Sequence, residues 1–401
     1  MLVKVGVNLQ PGQYLILQTI PEALELAHCV SEEAFKAGAK DVIVLIEDPY
    51  INHLRGQYAD IEVLREVPHW KLEQLEFYLS QDACQLSLMG SYPTLNKDIA
   101  TDKLIAINAA SNDTRNVIRK YIHKGVLQWT GTVVATQDWA TTVYPEFDKE
   151  QAFLALENAL CSMARVDDET DVMKNWEMHC DALAKRAKIL NEHNFKSLHI
   201  TTELGTDITM DLVTDHIWSS AGDISSGKHN VRYVANMPTE EAFTDPHCFK
   251  VNGIVYASRP LLMSGKLVTD FNISFKDGYA IDCFALNNED VLRDALFKQE
   301  GTRRLGEVAF VSKQSPINQM KRVFFNGLID ENASSHLAFG ASFPSCIKNG
   351  LNLNKEELLA LGVNVAISHN DFMIGTDEMK VVGVKHNGQE IVIMEHGDFA
   401  I

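Results

Sequence analysis

The chain has 401 residues, with 36 Lys plus Arg against 54 Asp plus Glu, a net charge of −18. So acidic a chain is a poor general binder of nucleic-acid backbones, which need a basic footprint. Hydrophobic residues make up 46% and charged ones 22%, the balance of a globular chain with a sizeable core, and no run approaches the ~20 apolar residues that span a bilayer.

The opening MLVKVGVNLQPGQ has no long apolar run ending in small residues, so no secretory signal is expected. The seven Cys are scattered and none form a CxxC pair. Reduced, mostly buried thiols in a cytoplasmic protein are expected, rather than a disulfide frame or a thiolate metal site.

In chain order, Gln13–Thr19 reads as a strand and Pro21–Ala37 as a helix stopped by Gly38. Asp41–Ile46 is a mostly apolar run, as expected of a strand buried on both faces. This β–α–β unit recurs more weakly. Strands are predicted at Ala83–Leu88, Leu104–Asn108 and Gly131–Ala135, with a helix over Asn112–Tyr121. The alternation predicts a doubly wound α/β domain. Helices over Glu150–Ala164 and Asp167–Glu192 follow.

From Lys196 the character changes to short strands and Gly- or Asp-marked turns. These include Ile254–Ala257, Lys266–Ile273, Tyr279–Cys283, Val308–Val311, Val381–Val384 and Ile391–Met394. Helices near 288–300 and 355–361 interrupt them. An N-terminal α/β domain over 1–185 and a mixed α+β, strand-rich domain over 186–401 are therefore expected.

The first half has no GxGxxG and no GxxxxGK[ST], so no phosphate-cradling loop is expected there. Its His residues, His179 among them, read as ordinary core or surface imidazoles. The second half concentrates carboxylates and imidazoles. His369 and Asp371 are two apart, and on an extended segment would share a face. They suit a divalent metal or, more blandly, a surface pair. Glu307 heads an apolar run, where an unpaired carboxylate is costly; it calls for a metal or for Arg303 or Arg304. Glu331 and His336 can meet at one centre only across a turn, the alternative being a helix cap that starts at Asn332 or Ser334. Glu240 and Glu241 diverge, so at most one is a direct ligand and the other is available as a base. The run Glu395–Asp398 reads as an exposed chain end. Jointly, four or five carboxylates and two His match two divalent cations about 3.5–4 Å apart with a bridging carboxylate.

PTEEAF, RRLGEVA, DENASSHLAFG and SHNDFMIG, in that order, resemble the aminopeptidase T family of bacterial metallo-aminopeptidases. The resemblance runs over nearly the whole chain. It implies an aminopeptidase that removes N-terminal residues from peptides through a metal-activated bridging water. It also implies a catalytic C-terminal domain, a homodimer and two divalent metals (zinc, cobalt, manganese or magnesium). The implied ligands are Glu241, Glu307, Glu331, His336, His369 and Asp371, with Glu307 as the bridge; Glu240, adjacent to a ligand, is then the candidate catalytic base. The family usually carries a Tyr where this chain has Phe343. Losing such a donor can cost about 10²–10³ in rate, which raises the alternative of a peptide-binding protein with weakened activity.

Overall fold

The computed structural model describes residues 1–263 and 265–401. The chain divides into two compact units: one comprises Met1–Glu177 and Gly222–Met237, the other Met178–Ala221 and Pro238–Ile401.

The first unit is built on a five-stranded sheet ordered Asn236–Met237, Trp129–Val134, Cys84–Gly90, Tyr14–Thr19 and Asp41–Ile46. Every pairing is parallel. The chain lays Asp41–Ile46 on one side of the first strand and then moves to the other, the reversal that defines a doubly wound sheet. Two expectations need correcting. Leu104–Asn108 is not a strand but part of one helix, Thr101–His123. Its buried residues Ala106, Ala110 and Val117 recur at helical spacing. Asp41–Ile46 is also not buried on both faces, for it is the last strand of the sheet, with Val44 and Ile46 exposed.

The second unit contains two antiparallel sheets. The larger includes Phe195–Thr201, Asp207–Leu212, Pro246–Tyr256, Lys266–Lys276, Tyr279–Asn287, Lys380–Lys385 and Glu390–Glu395. The smaller runs in the order His369–Met373, His336–Gly340, Leu305–Val311, Glu241–Thr244 and Ser219–Ser220. One apolar core joins them. Phe310, Leu337, Phe339 and Phe372 of the smaller sheet share a cluster with Ile200, Met210, Phe271 and Ile273 of the larger. Burial of that size drives the sheets together.

Alternation along a strand sends odd and even residues to opposite faces. Val308 and Phe310 therefore face the core, and Glu307 and Ala309 face away from it. Leu305 is nevertheless in the core cluster. The register shifts between Leu305 and Glu307, and this bulge lets Leu305 and Val308 both enter the core while Glu307 is aimed at the opposite face. Gly306 sits in the bulge, where a Cβ would meet the carbonyls of Gly340 and Ala341 at 2.4 Å.

Gly340 ends the strand His336–Gly340 at φ +113°, and a Cβ there would lie 2.1 Å from the Ser368 carbonyl. Gly340→Ala should lower the melting temperature by about 5–10 °C, since clash and strain combine. Gly388→Ala, at φ +85° with nothing within 4 Å of the added carbon, should cost only about 1 kcal/mol. Thermal melts of the two variants beside the parent check the contrast.

Candidate metal centre

The face of the small sheet turned away from the core carries most of the predicted chemistry. Across its strands the register places Glu307 beside Ala338, Ala338 beside Asp371, and Gly340 beside His369. His336 pairs with Ala309 on one side and Met373 on the other. Small residues thus alternate with long polar ones, and Ala309, Ala338 and Gly340 leave room over the sheet for the carboxylates and imidazoles to converge.

They converge in two groups. Glu241, Glu307 and His336 have side-chain donor atoms within 4.8 Å of one another, as do Glu307, His369 and Asp371. Glu307 is common to both. His336 Nε2 lies 3.2 Å from Glu241 Oε2. His369 Nε2 lies 2.9 Å from Glu307 Oε2 and 3.0 Å from Asp371 Oδ1. Both rings contact backbone carbonyls through Nδ1, His336 with Ser334 at 3.1 Å and His369 with Ala341 at 2.6 Å. This holds each Nε2 toward the cluster, the arrangement that orients a metal-ligating imidazole.

The electrostatics are those of crowded buried acids. Burial pushes Glu307 up to about 7, against the pull of His369. Glu331 is raised well above the usual carboxylate range by burial, and then by Asp371 and Glu241. Asp371 goes the other way: burial would raise it, but His369 holds it at about 2. Burial alone would lower His336, but Glu241 overrides it and lifts the ring to about 10. Without a cation, four carboxylates crowd together only by keeping protons on Glu307 and Glu331 and charge on the imidazoles. Hard oxygen donors mixed with imidazole nitrogen fit divalent cations.

Glu331 and Glu240 stand outside the two groups. Glu331 ends the short helix Gly327–Glu331, five residues before His336 opens its strand. A turn therefore separates them, and Asn332 starts no helix. Glu240 is buried, with its backbone N–H donating to Asn332 Oδ1 at 2.7 Å. Its Oε1 lies 3.8 Å from His179 Nε2, and that nitrogen is also 2.7 Å from the Thr239 carbonyl oxygen. Neither Arg303 nor Arg304 pairs with Glu307. Arg304 binds Tyr279 and Glu300, and Arg303 donates to the Ala280 carbonyl. His396 of the C-terminal run pairs with Glu378, away from the cluster.

Phe343 does lie beside the cluster, its ring centroid 4.8 Å from His369 and 5.4 Å from Phe243. Its N–H donates to Asp245 Oδ1 at 3.0 Å. Asp245 is fully buried, and among the described residues its Oδ2 has no hydrogen-bond partner. Burial raises its carboxyl well above the ordinary range. Sequence reading passed over Asp245, offered Asn332 only as the start of a helix and read His179 as an ordinary imidazole. The one available signal was Asp245 between Thr244 and Pro246 at the end of an apolar strand.

The donor set is that of a metallohydrolase, in which divalent ions are held by carboxylates and imidazoles on a rigid sheet. The family profile described as thermophilic metalloprotease (M29) matches residues 1–399, and the chain belongs to that family of metal-dependent peptide-bond hydrolases. Aminopeptidase PepS of Streptococcus thermophilus is 36% identical over 100% of this chain and 96% of its own length. Aminopeptidase T of Thermus thermophilus is 33% identical with the same coverage. A solved structure, wild-type AmpT from Thermus thermophilus, superposes with a TM-score of 0.92 at 32% identity, covering 100% of this chain and 97% of that one. A dihydroxypyridine dioxygenase from Pseudomonas putida shares the fold alone, at TM-score 0.52 and 11% identity.

Asn332 is wholly buried and serves two backbone groups, accepting from Glu240 and donating to the Leu328 carbonyl at 2.9 Å. Asn332→Ala should therefore cost about 2 kcal/mol of unfolding free energy, measured in urea.

Proposed function

We propose that the chain is an aminopeptidase that removes N-terminal residues from peptides at a centre for two divalent ions. The observation that carries this reading is the pair of donor groups sharing Glu307. Glu241 and His336 would hold one ion and His369 and Asp371 the other, with Glu307 common to both donor groups. Glu331, within electrostatic reach of Asp371, Glu241, His336 and Glu307, completes the set. Zinc, cobalt, manganese and magnesium all accept such donors. When bound, the ions supply Lewis acidity that polarises the scissile carbonyl and lowers the pKa of an attacking bridging water.

The remaining work falls to the chain's own residues. The chain's net charge of −18 attracts the cationic N-terminus of a peptide over long range. Glu240 is the candidate general base, receiving a proton on its carboxylate and returning it to the leaving amine. Its position next to Glu241, its burial and its backbone anchor on Asn332 support the role. The contact of Glu241 Oε2 with His336, against that of Glu240 with His179, supports Glu241 as the ligand of the two. Peptide binding without turnover, the alternative prompted by Phe343, draws no support from relatives that are named as aminopeptidases.

Glu307→Gln should abolish turnover of an aminoacyl chromogenic amide and sharply weaken metal retention. A variant that keeps both would sink the assignment of Glu307 as the shared ligand.

Metal removal has a pH signature. Glu307 is raised from 4.5 to about 7 and His336 from 6.5 to about 10. Both favour the protonated, metal-free fold at low pH. That stability is full below their unfolded values and drains away as pH rises toward the folded ones. Asp371, depressed to about 2, contributes fully above its ordinary 3.8 and adds nothing to the trend over this range. Metal takes the place of these protons. The melting-temperature gap between metal-loaded and chelated protein should therefore widen from pH 5 to pH 8. A gap that narrows contradicts the assignment.

A further inference from the structure

Asp245 follows directly on the strand Glu241–Thr244, whose pairing with Leu305–Val311 ties it to the strand of Glu307. Its side chain is fully buried. Oδ1 accepts from the Phe343 N–H at 3.0 Å, while Oδ2 has no hydrogen-bond partner among the described residues. One hydrogen bond does not offset the desolvation of a whole carboxyl group. Stability alone therefore does not account for an aspartate here.

The segment that Asp245 holds touches His369 twice. The Ala341 carbonyl meets His369 Nδ1 at 2.6 Å, and the Phe343 ring centroid lies 4.8 Å from that of the imidazole. Three successive N–H groups fix this segment. Ala341 donates to the Ser368 carbonyl at 2.8 Å, and Ser342 to the Asn364 carbonyl at 2.9 Å. Those acceptors are main-chain groups that any residue would supply. The third N–H, of Phe343, relies on a side chain, that of Asp245. Phe243, two residues before Asp245, packs edge-on against the Phe343 ring at 5.4 Å. One strand end thus grips Phe343 by both its backbone and its ring.

Resting on the metal-dependent reading above, we infer that Asp245 is a positioning residue for His369. It holds Ala341–Phe343 in place, and that segment in turn aims His369 Nε2 at the site shared with Glu307 and Asp371. Its action runs through Phe343 rather than through contact with an ion. Groups that fix the ring of a ligating imidazole govern metal affinity, and losing one costs about 10–100-fold. The Asp245→Asn variant keeps an oxygen to accept the Phe343 N–H, whereas Asp245→Ala removes it.

The experiment titrates cobalt into the metal-free full-length parent, Asp245→Ala and Asp245→Asn in competition with a chromophoric chelator. Asp245→Ala should bind cobalt about 10–100-fold more weakly than the parent, and Asp245→Asn should bind it as the parent does. Thermal melts of the chelated chains report folding. Asp245→Leu, close to aspartate in shape but without an acceptor, replaces the alanine variant if that one does not fold. Unchanged affinity in a folded Asp245→Ala or Asp245→Leu overturns the inference. Equal weakening in Asp245→Asn also overturns it, because charge rather than the hydrogen bond would then be responsible. Loss of the fold in both Asp245→Ala and Asp245→Leu assigns the residue to stability and overturns it too. A parent that binds no cobalt and hydrolyses no aminoacyl amide would instead sink the metal-centre reading, and this inference with it.

Discussion

A carboxylate inside a strand that is buried from end to end is the constraint around which the second unit is organised. All seven residues of Leu305–Val311 are buried, and Glu307 is third among them. An isolated ionised carboxylate there would be expensive by several kcal/mol. The neighbouring strands answer with imidazole nitrogens held by their backbone contacts, and the small residues between them keep the space open. Glu307 and Glu331 also hold protons more readily than ordinary carboxylates, and a divalent cation can take the place of such protons.

Glu307 reaches that position through a local irregularity in the sheet. Without the register shift at Leu305–Glu307, alternation would put Leu305 and Glu307 on the same face, and the core would lose the leucine or gain the carboxylate. Gly306 makes the shift sterically possible by letting two carbonyls approach closely. The apolar face of the same sheet then carries Phe310, Leu337, Phe339 and Phe372, so that the core and the cluster are two sides of one layer. Packing on one side fixes the rotamers available on the other, which suits a centre that must be formed before substrate arrives.

Much of this was legible from residue order. His369 and Asp371 at a spacing of two, ahead of Phe372, pointed to an extended segment with both on one face, and the strand His369–Met373 bears out the extended part. Glu307 ahead of an apolar run implied a partner for its charge. The strand-rich second half and the doubly wound first half were equally readable from their periodicity. What escaped was long-range. Leu104–Asn108 looks like a strand in a short window, and only the spacing of Ala106, Ala110 and Val117 across the longer helix contradicts that. The bulge is a relation between strands rather than a property of one. Asp245, Asn332 and His179 acquire meaning only once Phe343 and Glu240 are beside them, 98, 92 and 61 positions away in the sequence.

The return of Gly222–Met237 to the first unit has a practical outcome for anyone dissecting this molecule. Asn236–Met237 closes the parallel sheet by pairing with Trp129–Val134, so a fragment ending at Glu177 would leave that strand with a bare edge. A fragment beginning at Met178 would in turn carry sixteen residues, 222 through 237, that belong to the other unit. Three chain crossings join the units, and no single cut yields either one whole. Truncation is therefore the wrong tool for isolating the metal centre, and point substitutions in the full chain are the right one.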